Sequence, residues 1–244
     1  MKQIWTISKR ELKSYFDSLM AYIIMIIFLG FTGFLTWVKG FGNSDIFFIN
    51  QASLRVFFEV AYWTLFFFIP AMTMRLVAEE NRVGTLELIL TKPVSDWQFV
   101  VGKFVATLIL IIISLGLTLP FYFTIWSIGP IDHGEVISGY IGLILISAAY
   151  ISIGLFSSSI TNNQIISFLV ALLIGIFFHL LFRLLSEGTS GMVGKIFNYL
   201  NMRGHFDSIS RGVIDTKDII YFLSIISIGL FASEAALSKR NIVG

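Results

Sequence analysis

The chain has 244 residues, of which 56% are hydrophobic and only 13% charged, with 25 Phe, no Cys and a formal net charge of +2. That apolar share exceeds the roughly 45–50% of a soluble domain. The small net charge gives no footing for nucleic-acid binding, and the missing cysteine removes disulfides, thiolate nucleophiles and Cys-based metal sites. Lipid is therefore the expected main solvent.

Residues 1–18, MKQIWTISKRELKSYFDS, interleave Ile4, Trp5, Leu12, Tyr15 and Phe16 with Lys2, Lys9, Arg10, Glu11 and Lys13. This suits a short helix in the headgroup plane, with the aromatic rings at the interface and the basic groups toward anionic lipid. A frayed basic tail is the plain alternative. Leu19 to Val38 follows without an ionisable group. It is long enough to cross the bilayer, since about 20 helical residues span the roughly 30 Å hydrocarbon layer. The run outlasts a signal-peptide core and no A-x-A site follows it, so it reads as a retained span.

Five more spans are predicted near 56–77, 104–128, 136–159, 165–185 and 219–237, in one domain over 1–244. Helices fit all six, because a lipid-facing backbone must satisfy its hydrogen bonds internally and barrel-type alternation is absent. The fold class is thus an all-α polytopic membrane protein. Pro70 and Pro120 should kink spans two and three. In span four, Ala148-x-x-x-Ser152 and Gly154-x-x-x-Ser158 offer small residues for close helix approach.

Lys2, Lys9, Arg10, Lys13, Arg75, Arg82, Lys92, Lys103, Lys239 and Arg240, ten in all, fall on the side of the N-terminus, against seven on the other. The positive-inside rule then puts both termini in the cytoplasm, and with them the loop between spans two and three. In that loop Gly84 breaks the helical pattern, Pro93 stops a short apolar piece, and Ser95-Asp96-Trp97-Gln98 has the form of a capping box with an acid in the first turn. Leu86, Leu88, Ile89, Leu90 and Val94 would then stand beyond the bilayer, ringed by Glu79, Glu80, Arg82, Glu87 and Lys92. An apolar centre with a charged rim is the anatomy of a protein interface. The same leucines could instead fold back onto the bundle or the headgroups.

The run EENRVGTLELILTKPVSDWQFVVGKF resembles the signature cytoplasmic loop of ABC-2 type permeases, the membrane subunits of ATP-binding-cassette exporters. The matching positions are Glu80, Gly84, Thr85, Leu86, Glu87, Ile89, Leu90, Pro93, Val94, Gly102 and Lys103. KRELKSYFDSLMAYI is similar to the same family's N-terminal interfacial helix. GHFDSISRGVIDTKDIIYFLS is most similar to permeases associated with bacterial gliding motility, with the nitrous-oxide-reductase accessory permease as a near relative. The resemblance implies that 85–94 is a short cytoplasmic coupling helix seated in a groove of a separate ATPase subunit. With its flanks, the implied docking set is Glu79, Glu80, Arg82, Gly84, Thr85, Leu86, Glu87, Leu88, Ile89, Leu90, Pro93 and Val94. It also implies a second permease chain, identical or related, and an inner-membrane location.

The sequence agrees from another side, since neither Gly102-Lys103 nor Gly194-Lys195 sits in a G-x-x-x-x-G-K-[ST] phosphate loop, so nucleotide hydrolysis is assigned to a partner. His133, His179 and His205 lack metal-ligand spacing, and no G-x-S-x-G elbow is present. No cofactor is expected. Ionisable groups inside spans are functional suspects. Here Glu59, His179 and Arg183 lie near the outer boundary and Glu234 near the other, with Arg55–Glu59 and Arg183–Glu187 spaced to pair.

Between spans five and six, two semi-apolar pieces within 192–200 and 206–214 suit half-helices, with an external loop as the alternative. Asp215 and Asp218 resemble an N-cap and an acidic first turn for span six. Two competing classes remain. An ion-coupled transporter lacks a mid-span acid and evident inverted repeats, and a non-transporting motility scaffold is left open.

Overall fold

The computed structural model describes residues 2–38, 52–84 and 94–243, with backbone alone for 240–243. Among these residues the chain is helical throughout, with no strand. Helix α1 (Lys2–Asp17) precedes α2 (Met20–Trp37). Next come α3 (Arg55–Thr73), α4 (Ala78–Val83), α5 (Asp96–Gly116), α6 (Leu119–Ile128), α7 (His133–Ser159) and α8 (Gln164–Ile176). A π-helical turn at Phe177–Leu181 leads into α9 (Phe182–Gly188), followed by α10 (Gly191–Leu200), α11 (Met202–Ser210) and α12 (Thr216–Val243). Among the described residues six stretches are long and apolar enough to cross a membrane: Met20–Trp37, Arg55–Val83, Asp96–Ile128, His133–Ser159, Gln164–Gly188 and Thr216–Lys239.

Helix α7 is the hub of the bundle, packed by α3, α5, α8, α11 and α12. Its sequence explains why. Gly142, Ser147, Ala148, Ala149, Ser152, Ser157 and Ser158 are all buried, and such small side chains let neighbouring backbones approach in lipid, where hydrophobic burial between helices supplies little drive. A Cβ added at Gly154 would stand 2.0 Å from Thr73 Oγ1, so α3 crosses there against bare backbone. Toward the other end of α3 the filling is aromatic. Phe57, Phe58 and Tyr62 are fully buried, and Phe58 meets Tyr140 edge-on at 5.5 Å. Each such ring pair is worth about 0.5–1.5 kcal/mol beyond area burial.

Helix α3 runs through Pro70 and is interrupted one turn later, over residues 74–77. The expectation at Pro120 is corrected. Pro120 does not kink a continuous helix. α5 ends at Gly116, and Pro120 sits in the first turn of α6, where its missing N–H is free of cost. The third stretch also starts well before the predicted 104, because the Ser95 capping box begins α5 at Asp96. The pieces between spans five and six are helices, α10 and α11. Asp215 accepts from Lys217 N (3.1 Å) at the start of α12, as the sequence suggested.

Candidate functional site: a charged hub where α1, α4 and α5 meet

At the foot of α3 the chain turns over residues 74–77 and starts α4, which exposes backbone donors to burial. Ser158, from the far end of α7, meets them. Its Oγ accepts from Val77 N and Ala78 N (3.0 Å each) and donates to Met74 O (3.1 Å). α4 then ends on Gly84 in the left-handed region, φ 74°, where glycine carries no Cβ penalty.

Helix α1 lies along the first turns of α5. A Cβ at Gly102 would fall 2.7 Å from Ile7 Cγ2, and Ser8 Oγ donates to the Gly102 carbonyl (2.9 Å). Further along, the Tyr15 hydroxyl lies 3.3 Å from Thr107 Oγ1, with burial holding the phenol up at about 12. Between these contacts sits Lys103, only 1% exposed. Its Nζ is 3.0 Å from Glu80 Oε1 and 3.5 Å from Glu11 Oε1, and it lies over the Phe99 ring at 4.9 Å. Arg10 closes the set at 2.7 Å from Glu11 and 3.7 Å from Glu80. Burial opposes ionisation of Glu11, but Lys103 and Arg10 more than offset it, so its carboxyl sits below the usual range. A polar cavity of about 340 Å³ opens beside the hub, lined by Glu11, Ser14, Arg75, Glu79 and Lys103.

The start of α5 is anchored as firmly. Ser95 Oγ accepts from Gln98 N (3.3 Å) while Gln98 Oε1 accepts from Ser95 N (3.2 Å), completing the predicted capping box. Trp97 stacks on Phe231 at 4.9 Å, and Ser238 Oγ donates to Asp96 Oδ2 (2.9 Å). Both flanks are thus tied to the bundle, one through α1 and the other through α12.

Of the residues singled out from the sequence, Thr85, Leu86, Glu87, Leu88, Ile89, Leu90 and Pro93, with Lys92, lie outside the described residues. Arg82 and Gly84 are exposed, and Glu79 is half-buried at the cavity. Two placements are corrected. Val94, expected in the apolar centre of an exposed surface, is half-buried and packs on the chain's own core. Glu80, expected on a charged rim, turns inward to Lys103.

Near the opposite end of α3, Arg55 and Glu59 do not pair. Arg55 Nε is 3.1 Å from Glu135 Oε1, because Asp132 caps α7 and leaves Glu135 in its first turn. Glu59 instead accepts from Arg203 of α11. Arg203 also pairs with Asp207 (2.8 Å), and its guanidinium lies 4.7 Å above the Tyr62 ring. Burial pushes the Asp207 carboxyl up, and Arg203 holds back part of that rise. The Tyr62 hydroxyl hydrogen-bonds His179 Nδ1 in the π-helical turn and lies 3.5 Å from the Tyr150 hydroxyl. Arg183 and Glu187 do pair, at 3.1 Å on the surface, and Glu234 is half-buried on α12.

The arrangement defines an all-helical, multi-pass membrane protein with a charged hub at one end of its bundle. The profile of the ABC-2 family transporter proteins matches residues 39–202, and the chain belongs to that family. No curated protein matches it. Membership makes this the transmembrane permease component of an ATP-binding-cassette transporter, with ATP hydrolysis in a separate subunit.

Proposed function

We propose that the permease draws its drive from an ATPase docked on residues 79–94, that both termini and this segment face the cytoplasm at the inner membrane, and that the transporter exports its substrate. The observation that carries this reading is the double tether of the segment. On one flank Glu80 is held by Lys103 and, through it, by Glu11 of α1. On the other the capping box, Trp97 and Asp96 fix the start of α5. A push on such a segment moves α1, α4 and α5 together, since packed interiors transmit displacement. Gly102 then passes the motion to Ile7 by backbone contact.

A second permease chain is part of the same reading. An apolar groove of about 570 Å³, lined by Ile23, Ile27, Phe67, Phe68, Met72 and Phe168, runs between α2, α3 and α8 and suits another helical surface. The gliding-motility assignment rests on the likeness of residues 204–224 to that subgroup. A scaffold without transport is the alternative.

The test is co-purification with the cognate ATPase. Leu86→Asp or Leu90→Asp should abolish capture while leaving the permease folded, and full retention of the ATPase would remove the docking reading. Substrate-stimulated ATP hydrolysis in reconstituted complexes separates an exporter from a scaffold.

A further inference from the structure

We propose that the open cavity lined by α10, α11 and the start of α12 binds the phosphate headgroup of an anionic phospholipid. The inference rests on the membrane-spanning fold alone and does not depend on ATPase docking or orientation.

The cavity measures about 360 Å³ and gathers Lys195 and Asn198 from α10, Ser208 from α11, Arg211 after it, and Lys217 from the first turn of α12. Three cations converge there from three successive pieces of chain. Lys195 and Arg211 form no ion pair with any carboxylate among the described residues, whereas Lys217 shares Asp215 at the rim (3.0 Å). Arg211 is held by one edge, its Nε donating to the Asp207 carbonyl (2.9 Å). That contact fixes the position of the guanidinium without neutralising it.

The lining also contains one acid, Asp218, which is buried, with one oxygen partnered and Oδ2 without a hydrogen-bond partner. Asp218 Oδ1 lies 2.6 Å from His205 Nδ1, and His205 Nε2 lies 2.7 Å from the Tyr199 carbonyl. With the imidazole stacked on Tyr221 at 4.0 Å, this dyad forms a rigid floor. Asp218 is buried beneath the opening while Lys195, Arg211 and Lys217 are exposed around it, and the neighbouring Asn198 and Ser208 add hydrogen-bonding groups suited to phosphate oxygens.

Lipid is favoured over a free anion by what flanks the cations. On α10, Met192, Val193 and Ile196 are 80%, 52% and 52% exposed. Their spacing puts them on one face, which no other element covers among the described residues. Beyond the cavity Val213, Ile214 and Ile220 are exposed as well. Apolar side chains on both sides of a cationic pocket match acyl chains below a phosphate.

The experiment uses the full chain, delipidated in detergent, titrated with phosphatidylglycerol or phosphatidylcholine and read by native mass spectrometry. Phosphatidylglycerol should be retained in preference to phosphatidylcholine. Lys195→Gln with Arg211→Gln should weaken its binding about 25-fold, about fivefold per cation, with the unfolding midpoint unchanged. Lys9→Gln with Lys13→Gln, on α1, should leave binding as it was, and Met192→Ser with Ile196→Ser should weaken it. Equal retention of the two lipids, an unaffected Lys195/Arg211 double variant, or displacement by an equal concentration of inorganic phosphate would each overturn the lipid site. So would a lipid-independent dimer lost on Met192→Ser, which would assign the apolar face to a second copy.

Discussion

Replacing Lys103 with Met tests the hub directly. At an effective dielectric of about 20, the Lys103 contacts at 3.0 and 3.5 Å from Glu80 and Glu11 are each worth about 5 kcal/mol of attraction. Burying the ammonium costs several kcal/mol in return. Met fills similar volume but leaves two carboxylates, 19% and 14% exposed, with Arg10 alone. Removing one member of a buried pair typically costs about 3–5 kcal/mol. Because Arg10 stays at 2.7 Å from Glu11, the low end applies, about 3 kcal/mol. For a chain of this size that lowers the unfolding midpoint by about 6–12 °C. The assay is thermal unfolding of the detergent-solubilised protein by intrinsic fluorescence. Adding Glu80→Gln to Lys103→Met should recover part of the loss, since the uncompensated charge goes with it, giving a coupling energy of about 1–3 kcal/mol. A midpoint within 2 °C of the parent for Lys103→Met, or strict additivity in the double variant, would refute the argument that this lysine holds α1, α4 and α5 together.

Three further outcomes are expected. Ser158→Ala strips the Val77 and Ala78 amides of their acceptor, at about 1–3 kcal/mol; hydrogen exchange at those two amides should speed up while α7 itself stays protected. Gly154→Ala forces α3 off α7, since its Cβ would lie 2.0 Å from Thr73 Oγ1, and should cost about 1–3 kcal/mol; Gly30→Ala, which meets nothing within 4 Å, should not lower the midpoint, since alanine is the better helix former. Glu11, whose carboxyl is held below the usual glutamate range against its burial by Lys103 and Arg10, contributes stability that is fully present above the unfolded value and lost as pH falls through the depressed folded one; Glu11→Gln should therefore be less stable than the parent at neutral pH and converge with it as pH falls below the ordinary glutamate range.

The six spans could be read from the sequence because length and apolarity alone decide them. The capping box could be read because Ser95 and Gln98 are three residues apart and need no third partner. The polar contacts across the bundle could not. Arg55 and Glu59 satisfy the helical i, i+4 rule, yet each finds a partner on another helix: Glu135 is 80 residues from Arg55 and Arg203 is 144 from Glu59. Local spacing says which pairs can meet on one helix, and tertiary packing decides which of them do.

Lys103 did leave a trace in the sequence. It falls in phase with Phe99, Val100, Ala106, Thr107 and Leu110, the buried face of α5, and a lysine on such a face must find a carboxylate or carry a large desolvation penalty. Followed through, that rule narrows the search to acids near the same bundle end, namely Glu11, Asp17, Glu79, Glu80, Glu87, Asp96 and Glu234. Glu11 and Glu80 are the partners found. The requirement that a buried charge be paired thus draws the N-terminal helix and the segment after α3 onto one residue of α5. It also explains why the acid at position 80 faces inward, where sequence spacing alone had placed it on an outer rim. Glu79 and Arg82, which make no such contact with Lys103, are left half-buried and exposed on the same helix.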